Sequence, residues 1–215
     1  MIDEAQGVLA IWNDIREGRT GEFEHWFKSE HLLERLAVPG FRRGRRYEAI
    51  AGAPRYFVFY LTDTPDVLNS GPYLERLNDP TPLTRSVMVH GFANMNRTVC
   101  RRAARFGWLW GAVSVTARFD RPVEAGRVSA FLERMATEGG IARCELWSAH
   151  ESGGEAAAEE RLRGGDRKIA ACILVDALRE ADAERARAAL QREFGDAAEI
   201  GVYRFLCEVG RSDGA

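Results

Sequence analysis

Short, nearly continuous apolar runs alternate along this chain with stretches of helical period, and the order in which they come occurs twice. The first run, residues 7–15, carries Val8, Leu9, Ala10, Ile11 and Trp12 without a polar break, which predicts a strand buried on both faces. Over residues 21–38 the period becomes helical, with Phe23, Trp26, Phe27, Leu33 and Leu36 on one broad side and Pro39-Gly40 as the stop. An arginine-rich strand over 41–50 and a turn at 52–54 lead to a third strand over 56–61, rich in aromatic residues. Asp66 caps a helical stretch that Gly71-Pro72 and Pro80-Thr81-Pro82 break into short pieces, and a fourth strand is predicted over 89–100.

From Trp108 the order returns. The pattern predicts a strand over 111–119, a helix over 124–138 stopped by Gly139-Gly140, and strands over 141–149 and 169–177. A helix over 182–194 and a last strand over 200–209 complete the second βαββαβ unit. The Gly-, Ala- and Glu-rich stretch 151–167 is expected to be a solvated hairpin loop with room for one helical turn.

Each unit is that of a ferredoxin-like fold, whose sheet carries helices on one face only. In the third strand Tyr56, Val58 and Tyr60 lie on one side and Phe57, Phe59 and Leu61 on the other; in its counterpart Ala171, Ile173 and Val175 oppose Cys172 and Leu174. Both faces are apolar in both copies, so the face without helices needs a cover, and the other copy supplies it. Burying ~600 Å² of apolar surface per half would contribute on the order of 15 kcal/mol before entropy, enough to join the halves. The expected fold is α+β: two tandem ferredoxin-like βαββαβ repeats, residues 1–106 and 107–215, packed sheet to sheet as an intramolecular α/β barrel. The second repeat is expected to be scaffold and the first to hold the active site, because the chemically distinctive side chains cluster there.

Composition removes several function classes. Thirty Lys and Arg against 32 Asp and Glu give a net charge of −2, which provides no field to collect nucleic acid or an anionic membrane. Arg55-Tyr56-Phe57-Val58-Phe59-Tyr60 has a passing likeness to an RNA-recognition strand but lacks its glycines. Arg42, Arg43, Arg45 and Arg46 read as a charged edge strand guarded against aggregation, or as an anion contact. Four scattered cysteines without a C-x-x-C pair read as small buried hydrophobes of a reducing compartment. The opening Met-Ile-Asp-Glu has no basic or apolar leader pattern and no apolar run reaches membrane-spanning length, so a cytoplasmic protein is expected.

Among candidate chemical groups, His31 falls one turn beyond Phe27 at the margin of the helix's apolar side, where it could exchange protons near neutral pH. Asp14, at the end of the first strand after Trp12 and Asn13, could orient His31 or take a proton itself. Arg46 could contact an anion, and Tyr60 could donate a hydrogen bond to a substrate oxygen. Phe27, Trp12 and Asn13 are expected to line the same pocket. His25 and His31 point about 120° apart on a helix, and His90 and His150 stand alone on predicted strands, so no metal site is expected.

Trp12-Asn13-Asp14-Ile15, the segment from Glu30-His31 through Val38-Pro39-Gly40-Phe41, and Gly44-Arg45-Arg46-Tyr47 resemble the dimeric α/β-barrel superfamily, in particular its EthD-like and uncharacterised bacterial members. The likeness covers the first repeat in sequence and the second by topology. That superfamily holds cofactor-free monooxygenases, isomerases, lyases and haem enzymes, and its ligands bind between helix and sheet. The resemblance implies a cofactor-independent enzyme acting by proton transfer on a small aromatic or cyclic organic acid or ketone, with His31 as acid or base. It equally implies a cofactor-free monooxygenase in which Asn94 and Trp12 position the substrate, or a non-catalytic ligand-binding or stress-related protein. No cofactor is expected, the partner is a small organic molecule, and a homodimer is an option because helices and barrel ends remain to be covered.

Overall fold

The computed structural model describes residues 5–151 and 157–210, which includes eight strands: β1 (Gly7–Ile15), β2 (Phe41–Ala51), β3 (Tyr56–Thr62), β4 (Phe92–Gly107), β5 (Val113–Phe119), β6 (Ile141–Ala149), β7 (Ala171–Ala177) and β8 (Glu199–Gly210). They close into one antiparallel barrel in the order β1-β3-β2-β8-β5-β7-β6-β4. Within that ring the order 4-1-3-2 is followed by its counterpart 8-5-7-6, so each half forms a ferredoxin-like sheet. The two sheets are stitched edge to edge by β2 with β8 and by β4 with β6.

Closure leaves no sheet edge. The arginine-rich β2 runs between β3 and β8, which corrects the reading of it as an edge strand. Its charges are answered individually, Arg42 by Asp63 and Arg43 by Glu208. Arg45 turns into the barrel, over the Trp110 ring at 4.4 Å.

Strand alternation divides the side chains between two environments. Val8, Ala10 and Trp12 of β1 point into the barrel with Phe57, Phe59 and Leu61 of β3, and meet Trp147, Cys172 and Leu174 from the other half. Trp12 stacks on Phe57 at 4.9 Å, and Phe59 meets Trp147 edge-on at 5.3 Å. Toward one end the interior turns polar: Glu145 accepts from Arg102 at 3.0 Å, Arg143 at 2.9 Å and Trp147 at 2.7 Å, and Ser114 donates to Asp176.

Helices cover the outer faces. In the first half these are α1 (Thr20–Trp26), a π turn (Phe27–His31) continuing into α2 (Leu32–Ala37), α3 (Gly71–Asn78) and α4 (Pro82–His90). In the second half α5 (Ala125–Met135), α6 (Ala158–Arg163) and α7 (Glu180–Phe194) follow. The π turn inserts one residue into the helical period. Leu32 and Leu36 therefore face the core and Leu33 is 57% exposed, the reverse of what an unbroken helix predicts for Leu33.

Two other expectations need correction. Residues 89 and 90 end α4 instead of starting a strand, so His90 is helical; Pro82 at the helix start, with Thr81 as cap, gives these residues a helical frame. The stretch after His150 is not a simple solvated loop: its residues 152–156 lie outside the described set, but α6 follows, with Glu159 buried. The aromatic strand β3 is buried on both faces, which leaves no platform for RNA bases. Among the described residues no helix is long and apolar enough to cross a membrane.

Candidate active site

The recess lies outside the barrel, between the first sheet and its helices. Leu9, Ile11 and Asn13 of β1 and Val58 and Tyr60 of β3 form its floor, because these residues are the outward members of the alternation. The register pairs Ile11 with Arg97 of β4, and directly opposed residues share a face, so Arg97 also projects into the recess.

The roof is built by aromatic packing and one buried hydrogen bond. Trp26 donates from Nε1 to the Thr84 hydroxyl of α4 at 2.9 Å, and Thr81 caps α4 by accepting from the Thr84 backbone N–H at 3.0 Å. Glu30 accepts from Thr81 at 2.6 Å, so the π turn and α4 are tied together. The extra residue of that turn rotates His31 inward from the margin. It is 8% exposed and lies over the Trp26 indole at 4.1 Å, with Phe27 at 5.7 Å and Tyr60 at 6.1 Å.

Three buried polar atoms of residues lining the recess have no hydrogen-bond partner: His31 Nδ1, the Tyr60 hydroxyl and Arg35 Nη1. Orphaned buried polar atoms are costly and mark a place for a ligand or water. Burial, reinforced by the charges of Arg35, Arg163 and Arg97, holds His31 well below the ordinary imidazole pKa, so it is neutral at physiological pH. Burial likewise pushes the Tyr60 phenol up, which keeps it a hydrogen-bond donor.

The third wall comes from the second half. Glu159 of α6 accepts from Arg35 Nη2 at 2.6 and 2.8 Å, and Arg163 of α6 reaches Asp166 at 2.8 Å and the Met88 sulfur at 3.1 Å. The second half is therefore more than scaffold. Arg97 has a different partner: its Nη2 donates to the Tyr73 hydroxyl at 2.6 Å, and among the described residues it has no carboxylate within ion-pair distance. Sequence reasoning did not single out Arg35, Tyr73, Glu159 or Arg163. The signal available for Arg97 is its place on the fourth strand, three residues from Asn94 and therefore on the opposite side of the strand.

The sequence-derived candidates separate accordingly. His31, Phe27, Asn13 and Tyr60 line the recess together. Asp14 does not serve His31: beyond an irregularity in the β1–β4 pairing, its carboxylate accepts from the Arg55 backbone N–H at 2.6 Å and from Asn94 at 2.8 Å. Asn94 is thus spent outside the recess, at a positive φ of 49°. Trp12 faces the barrel interior by strand parity. Arg46 lies under α1, where Glu24 accepts from it at 2.5 and 2.6 Å and the Phe23, Phe27 and Tyr56 rings surround it within 4.8 Å.

The recess encloses about 40 Å³, room for roughly three waters at the ~10–15 Å³ each occupies by this measure. Two flexible side chains, Met88 and Met95, form part of its lining. A haem macrocycle does not fit, and no cluster of metal-ligating side chains occurs among the described residues.

This architecture, an eight-stranded barrel of two ferredoxin-like sheets with ligand space beneath the helices, is that of the dimeric α/β-barrel proteins, here completed within one chain. No family matches the sequence, and no curated protein does. Similar solved structures include an anthrone oxidase-like protein, at 11% identity and a TM-score of 0.64 over 99% of this chain and 95% of that one. A candidate monooxygenase from Fusobacterium nucleatum subsp. nucleatum shares 7% identity at a TM-score of 0.59, covering 98% and 97%. A candidate chlorite dismutase shares 12% identity at 0.56, covering 94% and 96%. At such identities the likeness is one of fold.

Proposed function

We propose that this protein is a cofactor-independent enzyme that removes a proton from a small aromatic or cyclic organic acid or ketone, with His31 as the base and molecular oxygen as the acceptor of the resulting electrons. The observation that carries the proposal is His31 itself, buried, uncharged and without a hydrogen-bond partner at Nδ1, in a recess of cationic character. A neutral imidazole is the form that accepts a proton. The arginines that depress its basicity in the free protein stabilise the carbanion or enolate as it forms, and the growing negative charge restores the imidazole's proton affinity. The Tyr60 hydroxyl, otherwise unpartnered, supplies a donor for the developing oxyanion.

The balance closes without a prosthetic group. A ring CH₂ acidified by neighbouring carbonyl or aryl groups gives one proton to His31, and the carbanion passes its electrons to O₂. One oxygen atom remains on carbon as C=O and the other leaves as water, so CH₂ plus O₂ yields C=O plus H₂O. Fold neighbours carrying the names anthrone oxidase-like protein and candidate monooxygenase support oxygen as the acceptor over return of the proton to the substrate, as an isomerase would do.

The test uses enolisable cyclic ketones and phenols chosen by thermal shift, followed by oxygen uptake and exchange of the substrate C–H in deuterated buffer. Oxygen consumption that His31→Gln abolishes supports the reading. Exchange without oxygen uptake transfers it to an isomerase. Ligand binding with neither makes the protein a binding module and defeats the proposal.

A further inference from the structure

We propose that Arg97 and Tyr73 form a carboxylate subsite, which makes the ligands of this recess monocarboxylates with a second oxygen substituent on the ring. The inference uses the recess of the proposed enzyme but does not need its chemistry. Three guanidinium groups, those of Arg35, Arg97 and Arg163, line the recess. Two carboxylates answer two of them, Glu159 paired with Arg35 at 2.6 Å and Asp166 with Arg163 at 2.8 Å. His31 contributes no charge. One positive charge is left over among these groups, and Arg97 is the guanidinium with no carboxylate in direct contact: its hydrogen-bond partner is the neutral phenol of Tyr73, while Asp166 and Glu159 act on it only through space.

The geometry of that contact defines what can complete it. Arg97 donates to the Tyr73 oxygen at 2.6 Å, so the phenol's lone pair is engaged while its own O–H is free to donate. A carboxylate placed here takes a charge-assisted hydrogen bond from the guanidinium on one oxygen and the Tyr73 O–H on the other. A single negative charge neutralises the recess, whereas a dianion would overshoot in a poorly solvated space. In the register β1 runs between Arg97 on β4 and Tyr60 on β3, with Leu9 and Ile11 on the shared face, and the lining also carries the unpartnered Tyr60 hydroxyl and His31 Nδ1, a donor and a proton-exchanging group for a hydroxyl or carbonyl.

Calorimetric titration of the whole chain with 4-hydroxybenzoate, 4-hydroxybenzamide and benzoate tests this without any turnover. The acid is expected to bind at least about 30-fold more tightly than its amide, and the hydroxy acid more tightly than benzoate. In Arg97→Gln, with Arg97→Met as a second variant, the acid-to-amide ratio should fall to within about threefold while amide affinity holds. Tyr73→Phe should weaken only the acid.

Equal binding of acid and amide by the parent protein, or a ratio preserved in a folded Arg97 variant, overturns the subsite, as does no binding of any probe. The parent comparison requires no variant to fold. If discrimination is present while neither oxygen uptake nor proton exchange is found, the subsite stands and the enzymatic reading falls. If His31-dependent turnover is found without discrimination, the reverse holds.

Discussion

Glu159→Gln removes the negative member of an ion pair that joins the two halves, Arg35 of α2 with Glu159 of α6. Both side chains are enclosed, at 2% and 4% exposure, and both carboxylate oxygens lie on one Arg35 nitrogen at 2.6 and 2.8 Å. Arg163 stands 3.7 Å from the same carboxylate. The amide keeps the volume but leaves Arg35 buried without an anion, with only the Tyr73 ring face nearby at 5.7 Å. At an effective dielectric of ~20, unit charges 4 Å apart attract by about 4 kcal/mol, and breaking one side of a buried pair costs about 3–5 kcal/mol. We expect a loss of that size, or a fall in Tm of about 10 °C for a chain of this length. Urea unfolding followed by tryptophan fluorescence measures it. Glu160→Gln, which breaks the more exposed contact to Lys168 at 3.2 Å, is the control, with an expected cost below about 1 kcal/mol. The double replacement Arg35→Leu with Glu159→Leu should recover most of the loss, because removing both charges leaves no orphan. A Glu159→Gln protein within about 1 kcal/mol of its parent would show this wall to be wet, and the argument for a closed recess would fail.

Further outcomes follow from individual side chains. Burial pushes the Asp176 carboxyl inside the barrel up to about 6 from 3.8. Between those values the folded state holds a proton that the unfolded chain releases, so stability should decline as pH rises through that window, by up to about 3 kcal/mol. Urea midpoints from pH 4 to 7 should show this slope, and Asp176→Asn should flatten it; an unchanged slope would assign it to other groups. His31 has the opposite sign, its folded pKa lying below 6.5. Its contribution is present above pH 6.5 and is lost as pH falls toward the folded value; NMR should find the ring neutral at pH 6.5, and bound 4-hydroxybenzoate should raise its pKa. A Cβ on Gly44 would sit 2.8 Å from the Tyr60 ring and 2.9 Å from Leu32. Gly44→Ala should therefore cost about 1–3 kcal/mol and weaken phenol binding, and a neutral result would show that the floor yields. Phe57→Ala, which removes the ring stacked on Trp12, should cost about 3–5 kcal/mol, measured by urea unfolding; a cost below about 1 kcal/mol would show that the barrel interior repacks around the gap.

Strand period alone carried most of the architecture. Because β3 and β7 are apolar on both sides, their alternation could be satisfied only by helices on one face and a second sheet on the other, and the barrel follows from that requirement. Side-chain direction was legible where the strand was regular and failed where it was not. Trp12 belongs to the inward set with Val8 and Ala10, so its place inside the barrel was implied by the same alternation that put Leu9 and Ile11 outside. Asn94 was expected to face the substrate and is instead held by Asp14 outside the recess, because only the pairing of Ile11 with Arg97 fixes which residues of β4 meet the helices. The inward turn of His31 and the exposure of Leu33 depend on the π turn, an inserted residue that no amphipathic pattern announces. Glu159 and Arg163 were illegible for another reason: they come from a composition-biased segment far along the chain, which the β4–β6 seam and a backbone bridge between Asn96 and Arg167 bring to the first half.

The seating of the helices explains why the first half has the recess. In the second half the helix-facing residues include Ala117, Ala171, Ala177, Ala183 and Ala186, small enough for α7 to rest directly on β5 and β7, with Leu132 and Leu190 filling what remains. In the first half the corresponding layer is Phe23, Trp26, Phe27, Tyr56 and Tyr60, whose rings meet at tilted and edge-on angles. Rigid rings packed in this way hold a helix off a sheet and leave angular gaps that aliphatic side chains would fill. Two polar atoms in this gap, His31 Nδ1 and the Tyr60 hydroxyl, find no partner on the neighbouring helices, and Arg97 finds only the neutral phenol of Tyr73 on α3, so the gap retains unsatisfied chemistry in the folded state. The aromatic spacing and the reactive groups are therefore one feature. Replacing Trp26 by Leu would be expected to let α1 settle on β3 and abolish 4-hydroxybenzoate binding in calorimetry while the barrel still unfolds cooperatively. Full binding in that variant would mean that the recess is held open by something other than the ring layer.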